Sequence, residues 1–153
     1  MTHLLRHGVW VAICDGGKAL VLENQGDHDF PNLHLRMLSE HAQPPARELG
    51  SDAPGRAFAS SGARRSAYDQ NDLHEQSERD FLASFAQSLA AALKEADTPA
   101  LILVAPARAM GLLRPLLPAS VRQKVTAELV RDYVHLPLSE IEEQLRGLPR
   151  PVA

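Results

Sequence analysis

Three arginines stand out near the middle of the chain because no apolar periodicity surrounds them. They occur between residues 54 and 71, in the stretch PGRAFASSGARRSAYDQN. A guanidinium group is planar and permanently charged, and its fork of donors suits phosphate. The candidate binding site takes in the arginines and the small polar residues between them: Arg56, Ser60, Ser61, Gly62, Arg64 and Arg65. The chemistry that this set predicts is contact with an anion, not catalysis.

These residues lie in a longer stretch, 42–71, that shows no helical or strand periodicity and is rich in proline, glycine and serine. A connection of this length inside one domain is usually either functional or disordered. Two interpretations therefore stand side by side. The stretch is a long binding loop, or it is a mobile surface loop with no ligand.

A polar group follows the stretch at the predicted start of a helix. Asp72 and Glu75 have the spacing of a capping box, which predicts that the helix begins at Asp72. We add Asp72, His74 and Glu75 to the candidate site. His74 and Glu78 lie four residues apart on one helical face, which suggests metal ligation, but a zinc site needs further ligands. A solvated first turn is the preferred interpretation, and we predict no metal.

Asp15 is the other carboxylate with a chemical interpretation, because it ends the first predicted strand. A metal-dependent nuclease would use such a residue to bind metal ions, whereas ordinary turn chemistry is the alternative. Gly16 and Gly17 follow it and predict a tight hairpin in which glycine takes a positive φ. A phosphate-binding loop is the less favoured interpretation, since no helix follows the two glycines.

The elements that must position these groups alternate in a simple order. Strands are predicted over residues 9–15, 18–24, 33–41, 100–105 and 127–131, and helices over 72–96, from 106 onwards and over 137–148, with a short helix or turn at 118–125. In the third strand, period two places Leu33, Leu35 and Met37 on one face. Ser139 is the expected cap of the last helix. The order predicts a single α/β domain, residues 1–153, with a mixed five-stranded sheet and helices on its faces.

Composition bounds the function. The chain has 153 residues, 44% hydrophobic and 23% charged, with a net charge of −3. This balance argues against binding nucleic acid through overall charge, although a local basic patch is compatible with it. Cys14 is the only cysteine and lies in an apolar run, so we expect a buried side chain and a reducing compartment. With no signal peptide or membrane-length apolar segment, we expect a cytoplasmic protein that does not contact a membrane.

Four segments carry a family resemblance. They are WVAICDGGKALVLEN at 10–24, GRAFASSGARRSAYDQNDLHEQSERDF at 55–81, LILVAPARAMGLLR at 101–114 and ELVRDYVHLPLSEIEEQL at 128–145. Together they resemble the bacterial host-attachment protein family, described as required for attachment to host cells. The order of elements also resembles the ribonuclease H-like middle domain of archaeal and eukaryotic peptide-chain release factors.

The second resemblance implies that residues 54–71 stand where release factors carry a Gly-Gly-Gln loop. That tripeptide does not occur in residues 42–71, so peptidyl-tRNA hydrolysis is not supported. The resemblance implies a fold and a link to the ribosome or RNA. The attachment label describes a phenotype, and we expect the effect to be indirect.

Three functions follow as hypotheses. The first is a non-catalytic module that contacts RNA, the ribosome or another anionic partner through residues 54–71, without a cofactor. The second is a metal-dependent nuclease or nucleotide hydrolase that uses Asp15. The third is a regulatory protein that binds a protein partner or forms a homodimer through the third strand or through the leucine-rich helix at 107–117.

Overall fold

The protein is an α/β domain whose central strands are buried on both faces. The structure, a computed structural model, describes the backbone of residues 3–40 and 56–149 and the side chains of residues 3–40 and 73–149. The strands are β1 (Trp10–Cys14), β2 (Lys18–Asn24), β3 (Leu33–Glu40), β4 (Leu101–Ala105) and β5 (Val125–Val130). The helices are α1 (Arg56–Glu95), α2 (Ala107–Leu113), α3 (Ala119–Arg122) and α4 (Leu138–Leu145), with a 3-10 turn at Arg114–Leu116.

The sheet has the order β3-β2-β1-β4-β5. β1 pairs antiparallel with β2, and β2 pairs antiparallel with β3, while β4 is parallel to both of its neighbours. The predicted mixed five-stranded sheet is therefore confirmed, including the hairpin and the edge position of the last strand. Membership of the ribonuclease H-like class stays a prediction.

Two apolar layers cover the sheet. On the first face, α1, α2 and α3 pack over Trp10, Leu103 and their neighbours. On the opposite face, α4 and the N-terminal segment pack over Val11 and Ile102. Every residue of β1 and β4 is buried, because each strand is covered by both layers.

The start of α1 corrects the predicted loop. Residues 56–71 are helical, so the helix begins at Arg56 and the predicted capping pair, Asp72 and Glu75, lies inside it. No proline occurs between Pro54 and Pro99, and alanine and arginine are strong helix formers. The prediction of a loop over residues 56–71, which relied on serine and glycine, is therefore wrong. Residues 42–55 lie outside the part of the chain that the structure describes.

Two smaller predictions are also wrong. A β-bulge lies opposite Val21 and Leu22, and it puts Leu33 and Met37 on opposite faces of the sheet. The last helix is preceded by Pro137 and not by a serine cap, and it has no side-chain capping hydrogen bond. Proline suits this place because the first helical turn leaves N–H groups without helical partners.

Leu89 provides a test of the α1–sheet contact. Its side chain is fully buried in the first apolar layer. We expect Leu89→Ala to lower the free energy of unfolding by about 2–5 kcal/mol, because it removes apolar contacts and leaves a cavity. Urea denaturation would measure the change. Leu73→Ala, at a leucine of the same helix that is 70% exposed, is the control and should stay within about 0.5 kcal/mol of wild type. Equal losses in both variants would contradict the packing.

Cys14 is buried, as predicted, and this sets its reactivity. Burial, with a smaller contribution from the charge of Asp15, raises the pKa of the thiol from 9.0 to about 12. Below pH 9.0 the thiol is neutral in both the folded and the unfolded state, and its contribution to the stability of the fold is fully present. As the pH rises from 9.0 towards 12, the unfolded state alone loses the thiol proton, so this contribution is lost. At neutral pH we expect an alkylating reagent to modify Cys14 in urea but not in the native protein. Equally fast native labelling would show that the thiol is accessible.

Candidate functional site

A polar cleft lies at the edge of the sheet where the parallel strands end. β1 is followed by Asp15, β4 by Pro106, and β5 by a segment that contains Asp132 and His135. Ligands of α/β sheets commonly bind at the carboxyl ends of such strands. The cleft has a volume of about 540 Å³ and is lined by Asp15, Gly16, Gly17, Lys18, Glu40, His74, Glu78, Pro106, Asp132 and His135.

Asp15 organises the hairpin between β1 and β2. Its Oδ1 accepts hydrogen bonds from the backbone N–H groups of Gly17 and Lys18, each at 2.8 Å. Its Oδ2 lies 3.6 Å from Nε2 of His135. The turn interpretation of Asp15 is therefore confirmed, and the carboxylate also joins the hairpin to the segment after β5.

The two glycines of the hairpin act differently from the prediction. Among the described residues, positive φ angles occur only at Gly8 and Gly147, so Gly16 and Gly17 adopt φ values open to other residues. Gly16 is needed for space. A Cβ atom there would lie 2.8 Å from Cδ of Glu78 and would overlap its carboxylate, whereas Gly17 has no heavy atom within 4 Å of the equivalent position.

Glu78 connects three elements through its side chain. Oε1 accepts from Nε of Arg108 at 3.1 Å and lies 3.0 Å from Nη2 of the same guanidinium. Oε2 lies 3.8 Å from Nε2 of His74, one turn earlier in α1. The side chain is only 19% exposed. It pairs α1 with α2 through Arg108, and it lies against Gly16 of the hairpin.

The charge of the cleft is acidic. Four carboxylates line it, from Asp15, Glu40, Glu78 and Asp132, whereas Lys18 is the only lysine or arginine among the lining residues. Arg108 lies beside the cleft and offsets Glu78. A polyanion such as an RNA backbone would be repelled here, and the histidines would reduce the repulsion only when protonated.

The structure separates the predicted site residues into two groups. His74 lines the cleft, and Glu75 forms an exposed ion pair with Arg79 at 3.7 Å. The side chains of the others, Arg56, Ser60, Ser61, Gly62, Arg64, Arg65 and Asp72, lie outside the described part, although their backbone is helical. Within residues 3–40 and 73–149, no three histidine, cysteine or acidic side chains are grouped so that they could hold a metal ion.

Sequence reasoning singled out part of the cleft, namely Asp15, Gly16, Gly17, His74 and Glu78, but did not bring these residues together. It missed Asp132 and His135, although they follow the last parallel strand and that position was a usable signal. The pairing of Glu78 with Arg108 gave no local signal, because it joins residues thirty positions apart. Only the packing of α1 against α2 brings these two side chains together.

The mixed sheet, the two-sided helical cover and the polar carboxyl edge define the class of the protein as α/β. Residues 8–145 match the family model of bacterial archaeo-eukaryotic release factor family 12, and the chain belongs to that family. No curated protein matches the chain. In the described ranges, no helix has the length and apolar character needed to cross a membrane.

The pair Gly16 and Gly17 gives a matched test of the cleft. We expect Gly16→Ala to lower the free energy of unfolding by about 1–3 kcal/mol, because the added methyl group displaces Glu78. Gly17→Ala has open space and should be neutral or slightly stabilising through the unfolded state. The measurement is urea denaturation of both variants.

The same measurement in a Glu78→Ala background isolates the cause. There the penalty of Gly16→Ala should fall to within about 0.5 kcal/mol of zero, because the clashing side chain is gone. An undiminished penalty would show that Gly16 is needed for its backbone conformation and not for space.

Proposed function

We propose that the protein is a non-catalytic, release-factor-like binding module that contacts RNA, the ribosome or another anionic partner through residues 54–71. The observation that carries this proposal is the family match over residues 8–145. The link from a release-factor family to RNA rests on the family's name and on the resemblance described from the sequence. The host-attachment resemblance stays a prediction.

The length of α1 supports the place of contact. The helix has 40 residues, which corresponds to roughly 60 Å. In its described part, the buried side chains lie between Phe81 and Leu93. The first 17 residues of the helix, 56–72, precede this packed segment by more than two turns.

Helical geometry changes what the arginines can do. In a loop, the positions of Arg56 and Arg64 would be independent of one another. In α1, positions 56, 60 and 64 recur every four residues, so the backbone places them along one side of the helix. Positions 56 and 64 of this row carry arginine and position 60 carries serine, so the row offers two cations roughly 12 Å apart to phosphate groups.

The electrostatics of the rest of the domain favour the same choice. The cleft at the carboxyl edge carries four carboxylates, which oppose the approach of a phosphate backbone. The net charge of −3 opposes nonspecific binding by the whole surface. Binding through a limited arginine-containing segment reconciles an acidic protein with an RNA partner.

Co-sedimentation with purified bacterial ribosomes tests the proposal. The test variant is Arg56→Gln, Arg64→Gln, Arg65→Gln. The matched control is Arg79→Gln, Lys94→Gln, Arg131→Gln, which changes the net charge by the same amount at exposed positions. We expect the test variant to bind about tenfold or more weakly, and the slope of log K against log salt to become shallower by about 2–3.

Three outcomes would contradict the proposal. Wild-type protein that does not sediment with ribosomes would do so, as would equal weakening in both variants. Binding that survives complete nuclease digestion of the RNA would point instead to a protein partner. Circular dichroism of both variants checks that α1 is still helical, so that lost binding is not mistaken for lost structure.

A further inference from the structure

We propose that the protein forms a symmetric homodimer by antiparallel pairing of β3 with β3 of a second copy. In the sheet formed by the described residues, β3 is one of the two edges. An edge strand presents backbone N–H and C=O groups that can pair with another strand. The proposal concerns assembly and does not depend on the RNA contact.

Two leucines are exposed on this edge. Leu35 is 51% exposed and Leu38 is 50% exposed, while most leucines in the described ranges are buried. In a regular strand, residues three apart point to opposite faces. Here the bulge at position 36 resets the alternation, and Leu35 pairs with Leu22 while Leu38 pairs with Leu20. Both partners belong to the apolar layer under α4, so Leu35 and Leu38 share one face.

The bulge gives β3 a pattern that is symmetric about its centre. The pairings with β2 put residues 33, 35, 38 and 40 on one face of the sheet and residues 34, 36, 37 and 39 on the other. The midpoint of this pattern lies between Arg36 and Met37. Reversing the strand about that midpoint reproduces the same distribution of faces.

A two-fold axis through the midpoint is therefore allowed by the strand itself. It pairs Leu35 with Leu38 of the second copy, and Leu38 with Leu35 of the second copy. Directly opposite residues of an antiparallel pair point to the same face, and this register satisfies that condition along β3. At Leu33 the backbone N–H already donates to Oε2 of Glu142 at 2.7 Å, so the proposed pairing spans residues 34–39. An isologous interface needs such self-complementarity, which a regular strand would not have in this register. The result is a cluster of four leucines on one face of a continuous sheet.

Of the two charged side chains of β3, Glu40 is exposed at the end of the strand and Arg36 is directed back onto its own sheet. Nη1 of Arg36 lies 2.9 Å from Oε1 of Glu23, and its guanidinium carbon lies 4.7 Å from the centre of the Trp10 ring. Charged side chains and bulges both oppose the pairing of an edge strand, and here the charge of Arg36 is compensated by Glu23 of the same chain. On the other edge, Glu128 of β5 is paired with Arg114 at 2.8 Å, and Val130 is the only large apolar side chain of that strand that is strongly exposed.

The alternative interface predicted from the sequence is less suitable. In the leucine-rich helix at 107–117, Leu113 and Leu117 are buried in the first apolar layer, and Leu112 and Leu116 are partly buried against it. These leucines are used within the domain, whereas Leu35 and Leu38 remain half exposed. The surface that fits a second copy is therefore β3.

Sedimentation equilibrium of the full chain over a wide concentration range tests the proposal. The expected species has twice the 16.7 kDa mass of one chain. Leu35→Lys, Leu38→Lys should raise the dissociation constant roughly tenfold or more, because it places charges opposite one another in the apolar cluster. The control, Leu73→Lys, Val130→Lys, places two lysines at exposed apolar side chains, one in α1 and one on the opposite edge strand β5, and should leave the dimer intact.

A cross-linking variant tests the register. In Leu35→Cys, Leu38→Cys, the opposed Cα atoms of the two copies would be about 4.5–5.5 Å apart, within reach of a disulfide. The two positions within one chain are separated by roughly 10 Å of extended strand, which is too far. Cys14 is buried and should not compete. We expect oxidation to give covalent dimers.

A monomer at all concentrations would overturn the proposal. This holds also if the reason is that another segment of the same chain covers Leu35 and Leu38. A dimer that both lysine variants leave unchanged would place the interface elsewhere. A dimer without disulfide formation would exclude this register. Ribosome binding is measured in a separate experiment, so the RNA-contact proposal and the homodimer proposal can fail independently.

Discussion

The complete burial of β1 and β4 is the constraint on which the other features depend. Both strands lie at the centre of the sheet and carry apolar side chains on both faces, so each face needs its own cover. The helices α1, α2 and α3 cover one face, and α4 with the N-terminal segment covers the other. The parallel strands end at one edge of the sheet, between the two layers of helices. The chain changes direction there, and polar residues gather at that edge.

The cleft shows how packing and polarity are linked. Glu78 lies on a helix whose apolar side is fixed against the sheet, and it reaches Arg108 because α2 packs beside α1. Gly16 leaves the space that this side chain occupies. Asp15 holds the hairpin in place through backbone hydrogen bonds. The acidic edge is thus a consequence of how four elements meet. It is a different surface from the arginine-containing start of α1.

The chain also divides its surfaces by charge and polarity. The carboxyl edge of the sheet is acidic, the first turns of α1 contain three arginines, and β3 exposes two leucines on one face. Surfaces that differ in this way suit different partners, since phosphate contacts need cations and self-pairing of strands needs apolar, uncharged neighbours. The proposed RNA contact and the proposed assembly contact therefore fall on different surfaces of the domain.

The sequence by itself determined the sheet, because continuous apolar runs and turn residues are local signals. It placed all five strands, the hairpin and the last helix within a few residues, and it placed Cys14 in the core. It misjudged residues 56–71, since serine and glycine are weak local signals that helix propagation overrides. Only the tertiary structure decided the faces of β3, where one bulged residue reverses the alternation, and the pairing of Glu78 with Arg108. Both depend on contacts between residues far apart in the chain, which local periodicity does not encode.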